Sequence, residues 1–255
     1  NNRLPPELKY TSTGVADGPW AARVKVRENI KYGANAIKFC ATGGVFSKGT
    51  KVGVQQYSFE EMKAIVDEAH MRDLPVAAHA HGTSGIKTAI KAGVDSIEHA
   101  SFLDDEAIAL AKKHGTWLSM DIYNTEYTLS YGEQNGVDEE NLNKERQVSK
   151  KQRDSFNRAV KAGVNMVFGT DAAIYPHGDN AKQFSRMVKF GMSELQAIQA
   201  ATINSAKLLK MDNKLGQLKS GFAADIIAVK GNPLKNISVL ERIPFVMKAG
   251  VVYKK

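Results

Sequence analysis

Residues 91–99 read KAGVDSIEH, in which a helix is expected to end at Gly93 and a short apolar strand to follow at once. The same order recurs as KAGV at residues 161–164 and, more loosely, as KYGA at residues 31–34. Glycine is favoured at this point because it readily adopts the left-handed conformation that ends a helix. A helix followed directly by a strand, repeated along the chain, is typical of a parallel sheet covered by helices.

This alternation extends over most of the chain and predicts five strands. They cover residues 34–40, 76–78, 94–97, 116–120 and 164–168. Helices are expected at residues 58–74, 84–92, 104–114, 144–161 and 193–208, and those that open at Ser58 and Ser193 carry a capping-box pattern. The polar residues 124–143 interrupt the order and are predicted to form a binding loop. We therefore predict part of a TIM-type (β/α)8 barrel, with the barrel in residues 1–212 and a small β element in residues 213–255.

The composition is that of a soluble globular protein and excludes several other classes. The chain has 255 residues, 43% of them hydrophobic, and one cysteine, which excludes an internal disulfide. No apolar run approaches the roughly 18 residues that a membrane span needs. The net charge of +8 is spread along the chain, so nucleic-acid binding is not expected. Because no secretory signal can be read at the N-terminus, the compartment, cytoplasm or periplasm, stays open. Assembly into a homo-oligomer also stays open.

Polar residues stand where the predicted barrel strands end. They are Lys38, His79, His99, Asp121 and Asp171. In parallel barrels the active site lies at the carboxyl ends of the strands, and two imidazoles with a carboxylate are suitable zinc ligands. A buried lysine amine could react with carbon dioxide to give an anionic carbamate that bridges two cations. The alternative readings are an ion-paired buried lysine, hydrogen-bonded core histidines and a helix-capping aspartate.

Further candidates lie beside these strand ends. His79 and His81 would point to one face of an extended strand, which fits two ligands or one ligand beside a substrate contact. Glu98 is expected to face away from the barrel interior. Candidate substrate contacts in the predicted loops over the site are Tyr123, Asn124, His177 and Asp179.

These motifs resemble the amidohydrolase superfamily, whose members are binuclear metal-dependent hydrolases on a (β/α)8 barrel. The resemblance rests on Ile37-Lys38, His79, Ile97-Glu98-His99 and Gly169-Thr170-Asp171 at successive strand ends. Residues 38–45, 77–82, 119–124 and 175–184 are similar to the prolidase-like group that cleaves Xaa-Arg, Xaa-Lys or Xaa-Pro dipeptides. The similarity is greatest to its arginine/lysine carboxypeptidase branch.

The resemblance implies a site for two zinc ions. Lys38 would be N6-carboxylated and bridge the ions, while His79 and His99 would bind the second metal. Asp171 would bind the first metal and act as general acid and base. A hydroxide between the two cations would attack the scissile amide carbonyl.

The resemblance also implies how the dipeptide substrate is held. His81 occupies the position at which the family contacts the substrate α-carboxylate. The loop after the seventh strand, here with Asp121 and Tyr123, is where the family sets side-chain preference. We expect Asp121, Glu126 or Asp179 to offer a carboxylate to the substrate guanidinium or ammonium.

Two other classes of function stay open. A cyclic amidohydrolase or deaminase of the same superfamily would act on a ring such as a hydantoin or an imidazolone. A non-catalytic barrel fragment or interaction domain would need no metal.

The superfamily's first metal is held mainly by a His-x-His pair after the first strand, and no such pair lies upstream of Lys38. If Asp171 follows strand eight, the strands that end at His99, His79 and Lys38 are six, five and four. We therefore expect the sequence to lack strands one to three.

The incomplete ligand set gives a metal stoichiometry that can be measured. We expect the 255-residue polypeptide alone to bind fewer than two zinc ions per chain, because the His-x-His ligands are absent from it. Metal analysis of the purified polypeptide checks this. Two tightly held ions on a monomer of this length would contradict it.

Overall fold

The computed structural model describes residues 14–255, and within them five parallel strands form one sheet. The strands are β1 (Ile37–Cys40), β2 (Val76–Ala80), β3 (Ser96–His99), β4 (Trp117–Ser119) and β5 (Met166–Val167), and each pairs with the next along the chain. Among the described residues, β1 and β5 form the two edges of this sheet. This order and direction confirm the prediction of part of a (β/α)8 barrel.

Helices follow the strands and cover one face of the sheet. They are α1 (Pro19–Lys31), α2 (Phe59–His70), α3 (Thr83–Ala92), α4 (Asp105–His114), α5 (Ile122–Tyr131), α6 (Glu139–Ala162), α7 (Lys182–Lys189), α8 (Glu194–Gln199) and α9 (Ser205–Leu208), with a π-helical turn, Ala200–Asn204, between the last two. The capping boxes at Ser58 and Ser193 are confirmed. Gly93 and Gly163 end their helices with φ of 100° and 68°, as the repeated KAGV motif predicts.

The polar stretch 124–143 is not a binding loop, so that prediction is wrong. Helices α5 and α6 take up most of it, and only residues 132–138 connect them. The ring of Tyr127 lies 6.3 Å from that of Tyr123 and 5.1 Å from that of Tyr131, which are contacts between residues four apart on a helix. Asn124 and Thr125 in this stretch are buried and line the cavity, so their polarity does not mark a loop.

The strand boundaries place two site histidines within strands rather than after them. Strand β2 continues to Ala80, so His79 is its penultimate residue. The amide of Val94 still bonds to the carbonyl of Ala89 at the end of α3, so β3 starts only at Ser96 and ends at His99. Lys38 is the second residue of β1, inside the strand.

The two faces of the sheet differ in what they contact. Residues Ile37, Phe39, Ala78 and Ile97 are buried against the helices. Lys38 points to the opposite face, the barrel interior, where it is exposed.

The register of the sheet shows that one orientation was predicted wrongly. Glu98 is the register partner of His79, so it points into the interior rather than away from it. His99 also reaches the interior because its φ of 70° breaks the strand alternation, a turn that the sequence does not reveal.

The C-terminal residues form the expected small β element. Strands β6 (Ile226–Ala228), β7 (Phe245–Lys248) and β8 (Val251–Lys254) make an antiparallel sheet in that order. A tight turn joins β7 to β8. The boundary at residue 212 stays a prediction. Across residues 14–255, none of the helices combines the length and the apolar character that a membrane crossing requires.

A buried carboxylate on α2 joins this helix to α1. The side chain of Glu68 has no exposed surface, and its oxygens lie 2.8 and 2.9 Å from the guanidinium of Arg27. Arg23 and Arg72 also contact it. The hydrogen bonds from Arg27 outweigh the effect of burial and lower the pKa of Glu68 to about 2.

We expect Glu68→Gln to lower the free energy of unfolding at pH 7 by about 2 kcal/mol, the size of contribution of hydrogen bonds to a charged group. Because the pKa of Glu68 is lower in the folded state, its charged form stabilises the fold above its ordinary pKa. The difference between wild type and variant should therefore shrink as the pH falls from about 4.5 towards 2. Urea unfolding across this pH range measures it. Glu60→Gln, an exposed position on the same helix, is the control, and equal stability of Glu68→Gln and wild type at pH 7 would contradict the expectation.

Candidate active site

Three histidines meet where β2 and β3 end. The ring of His99 lies 4.6 Å from that of His79 and is stacked on that of His81 at 4.7 Å. One nitrogen from each ring can lie within 4.8 Å of the others, which is close enough for all three to hold one cation. His79 and His81 thus converge, as the spacing predicted, with rings 4.9 Å apart.

His99 also belongs to a second group of possible metal ligands, with Asp121 and Asp171. Its Nδ1 lies 2.9 Å from Oδ1 of Asp121. A carboxylate only accepts hydrogen bonds, so Nδ1 donates to Asp121, and Nε2 is the nitrogen that would bind a cation in exchange for its own proton. Burial alone would lower the pKa of His99, but the charge and hydrogen bond of Asp121 raise it to about 9.

Asp121 is held in place from several sides. Asn124 donates to its Oδ2 at 2.9 Å, and Gln152 on α6 donates to its Oδ1 at 3.0 Å. The side chain of Asp121 is only 6% exposed. This network indicates that Asp121 orients His99. Asp121 also lines the cavity, and its contact with a substrate cation stays a prediction.

Asp171 lies close to His99 and Asp121, lines the cavity and is exposed. Asn124 Nδ2 approaches its Oδ2 at 3.4 Å. Helix α7 begins only at Lys182, so Asp171 does not cap it. The backbone of Asp171 has a φ of 50°, which costs free energy for a residue with a side chain and which occurs often at functional sites.

Lys38 faces the same interior from β1. The largest effect on the pKa of His79 is burial, followed by the positive charges of His99 and Lys38, and together they lower it to about 3. The amine is therefore near enough to the histidines to act on them electrostatically. As an ammonium it would repel a cation bound there.

These groups open into one cavity of about 750 Å³. The loop over residues 41–57 forms one wall and is fixed to α6, because Lys144 donates to the carbonyl of Ser47 at 2.7 Å. Helix α6 forms another wall. The site residues that line the cavity are Lys38, His79, His81, His99, Asp121, Asn124 and Asp171.

Two of the predicted substrate contacts lie outside this cavity. Tyr123 is buried against the ring of Tyr175 at 4.9 Å, and the guanidinium of Arg186 lies 5.0 Å from the centre of its ring. His177 is exposed. Neither lines the cavity.

Two predicted carboxylates also lie outside it and already have cationic partners. Glu126 pairs with Arg186 at 2.6 Å, and Asp179 pairs with Lys182 at 2.9 Å. Their charges are therefore largely compensated within the protein.

The structure adds two residues that the sequence analysis missed. Glu145 and Gln152 lie on the cavity face of α6 and are buried. Burial raises the pKa of Glu145 to about 7, with a further contribution from the charge of Asp121. The sequence signal was the spacing of Glu145, Val148 and Gln152. These residues are three and then four positions apart, so they share one face of a helix.

Comparisons with known proteins agree with this geometry. Residues 4–253 match the model of the amidohydrolase family. The ochratoxinase of Aspergillus niger is 37% identical over 246 residues, which cover 94% of this chain and 50% of that protein. The chain therefore spans about half the length of the curated relative.

Solved structures are similar over nearly the whole chain. A Xaa-Pro dipeptidase with methionine bound in its active site gives a TM-score of 0.93 at 41% identity, covering 100% of this chain and 64% of that one. A prolidase complexed with N-methylphosphonate-L-proline gives a TM-score of 0.90 at 33% identity, covering 94% and 60%. Fold, site residues and family model agree, and the chain belongs to the amidohydrolase family.

Proposed function

We propose that the protein is a zinc-dependent hydrolase of the peptide bond in Xaa-Arg, Xaa-Lys or Xaa-Pro dipeptides and short peptides. The observation that carries this proposal is the convergence of His79, His99 and Asp171 at the carboxyl ends of parallel strands, on one cavity. The likeness to a Xaa-Pro dipeptidase and to a prolidase supports a dipeptide substrate.

The donor set fits a divalent metal. Imidazole nitrogens and carboxylate oxygens are ligands that zinc accepts, and His79, His99 and Asp171 would supply them. A bound cation would lower the pKa of a water molecule and polarise the scissile carbonyl.

Lys38 is the residue we assign to joining two metal ions. As an N6-carboxylated lysine it would replace a positive charge near His79 with a negative one. This change turns repulsion of a cation into attraction, which a site for two zinc ions requires.

Asp171 would move the proton in the reaction. Its carboxylate would take a proton from the attacking water and return it to the departing amine. The amide of Asn124, 3.4 Å from Oδ2, would help to orient the carboxylate. Asp121 and Gln152 would keep the ring of His99 in its binding orientation.

His81 is suited to hold the substrate α-carboxylate. Its Nδ1 lies 2.8 Å from the hydroxyl of Ser101, and burial lowers its pKa well below the ordinary value. If Ser101 donates to Nδ1, the neutral ring keeps the proton on Nε2 and can donate it to a carboxylate.

A substrate panel tests the reaction class. With zinc supplied, the protein should release the free C-terminal amino acid from Ala-Arg, Ala-Lys and Ala-Pro, and should not open hydantoin or imidazolone rings. Chelation should abolish the activity and added zinc should restore it, because the ligands stay in place. Chromatographic analysis of the products checks this, and ring opening without dipeptide cleavage would favour the cyclic amidohydrolase instead.

A single substitution tests the role of Asp171. Asp171→Asn should lower kcat for dipeptide hydrolysis by about 100-fold or more, the usual contribution of a general acid or base. Asp212→Asn, at an exposed position beyond α9, should leave kcat unchanged. Unchanged kcat in Asp171→Asn would reject the assignment. If the wild type hydrolysed no dipeptide but bound a partner protein, the chain would instead fit the interaction role.

A further inference from the structure

Glu145 is a buried carboxylate in the cavity wall that has no cationic partner. The residue is 3% exposed and lines the cavity from α6. None of the ion pairs formed within residues 14–255 includes it. A charge in this position is costly unless something pairs with it.

The neighbouring hydrogen bonds do not supply that pairing. The Nε2 of Gln152 donates to Asp121 and to the carbonyl of His99. Because these bonds fix the amide group, the Oε1 of Gln152 faces Thr125. The hydroxyl of Thr125 donates to this Oε1 at 2.6 Å. Thr125 also hydrogen-bonds with Glu145 and acts to lower its pKa, but a neutral hydroxyl does not compensate the charge of a carboxylate.

Three other acidic side chains near the site already have partners. Asp121 orients His99, Glu126 pairs with Arg186 and Asp179 pairs with Lys182. Of the carboxylates that line the cavity within residues 14–255, Asp17 and Asp171 are exposed, and Glu145 is the buried one that forms no ion pair.

The position of Glu145 along α6 indicates which part of a substrate it would meet. Glu145 and Gln152 are seven residues apart, about 10 Å along a helix axis. Gln152 contacts Asp121 and His99, so it marks the end of the cavity where the scissile bond would lie. An extended dipeptide spans about 7 Å, so a substrate bound at the histidines reaches along this wall, and the long side chain of its C-terminal residue would bring a cation to Glu145.

We propose that Glu145 is a specificity-determining residue that pairs with the guanidinium or ammonium of a C-terminal arginine or lysine side chain. This inference rests on the proposed dipeptidase function and narrows it to basic C-terminal residues. Proline and apolar C-terminal residues would leave the carboxylate unpaired and would be poorer substrates.

The first test compares kcat/KM for Ala-Arg, Ala-Lys and Ala-Met in wild type and Glu145→Gln. Loss of a charged hydrogen bond should lower the first two values by about 10- to 100-fold and leave Ala-Met nearly unchanged. Glu139→Gln, which removes an exposed carboxylate from the same helix, is the matched control and should not change the ratio of Ala-Arg to Ala-Met.

Several results would overturn the assignment. An unchanged Ala-Arg to Ala-Met ratio in Glu145→Gln would do so. An equal loss on all three dipeptides would show a structural or general catalytic role. A loss on Ala-Arg that N-acetyl-Ala-Arg does not share would show that Glu145 binds the α-ammonium.

A second test needs neither a variant nor turnover. Calorimetry on the zinc-loaded wild type should show tighter binding of L-arginine than of L-citrulline, its uncharged isostere, by about 10-fold or more. Equal binding would overturn the inference even if Glu145→Gln failed to fold. If the wild type cleaved no dipeptide, the proposed function would fail, and this measurement, repeated on Glu145→Gln, would still test whether Glu145 binds the cation: an equal preference for arginine in the variant would overturn the inference.

Discussion

The hydrogen bond between Nδ1 of His99 and Oδ1 of Asp121 is the interaction on which the site depends. It joins the ends of β3 and β4, and it fixes which ring nitrogen of His99 faces the cavity. Gln152 extends the same network to α6, and Asn124 extends it to α5. Four elements of the barrel therefore hold one imidazole, whose backbone is strained with a φ of 70°.

This network explains why the helices after β4 contain so many polar residues. Asn124, Thr125 and Gln152 are buried, and each has a partner within the network. A buried polar group is tolerated when it is hydrogen-bonded, and such a network specifies one arrangement of the helices. The polarity that resembles a loop in the sequence is thus part of the interior.

The sequence predicted those features that depend on neighbouring residues. Left-handed glycines at 93 and 163 and the capping boxes at Ser58 and Ser193 are local signals, and all four are in place. The sequence also predicted that His79, His99 and Asp171 lie at one end of the sheet, because parallel strands bring their carboxyl ends together.

The features it missed depend on contacts between distant residues. The inward direction of both Glu98 and His99 needs a backbone turn that strand alternation does not show. Glu126 pairs with Arg186, which is 60 residues further along the chain. Asp179 pairs with Lys182 only three residues away, but the place of this pair outside the cavity is set by the fold. Glu145 was missed because its spacing with Gln152 acquires meaning only once α6 is known to line the cavity.

Asp121 and Glu145 show that the pKa of a buried carboxylate depends on its partners as well as on its burial. Both are almost fully buried in the wall of the same cavity. Burial acts to raise the pKa of each, yet His99 reverses the effect for Asp121 and lowers its pKa. Burial raises the pKa of Glu145 more than Thr125, His99 and Arg153 lower it, and its pKa is about 7. One carboxylate is thus paired within the fold and orients a histidine, while the charge of the other is less well compensated and would be stabilised by a cation that enters the cavity.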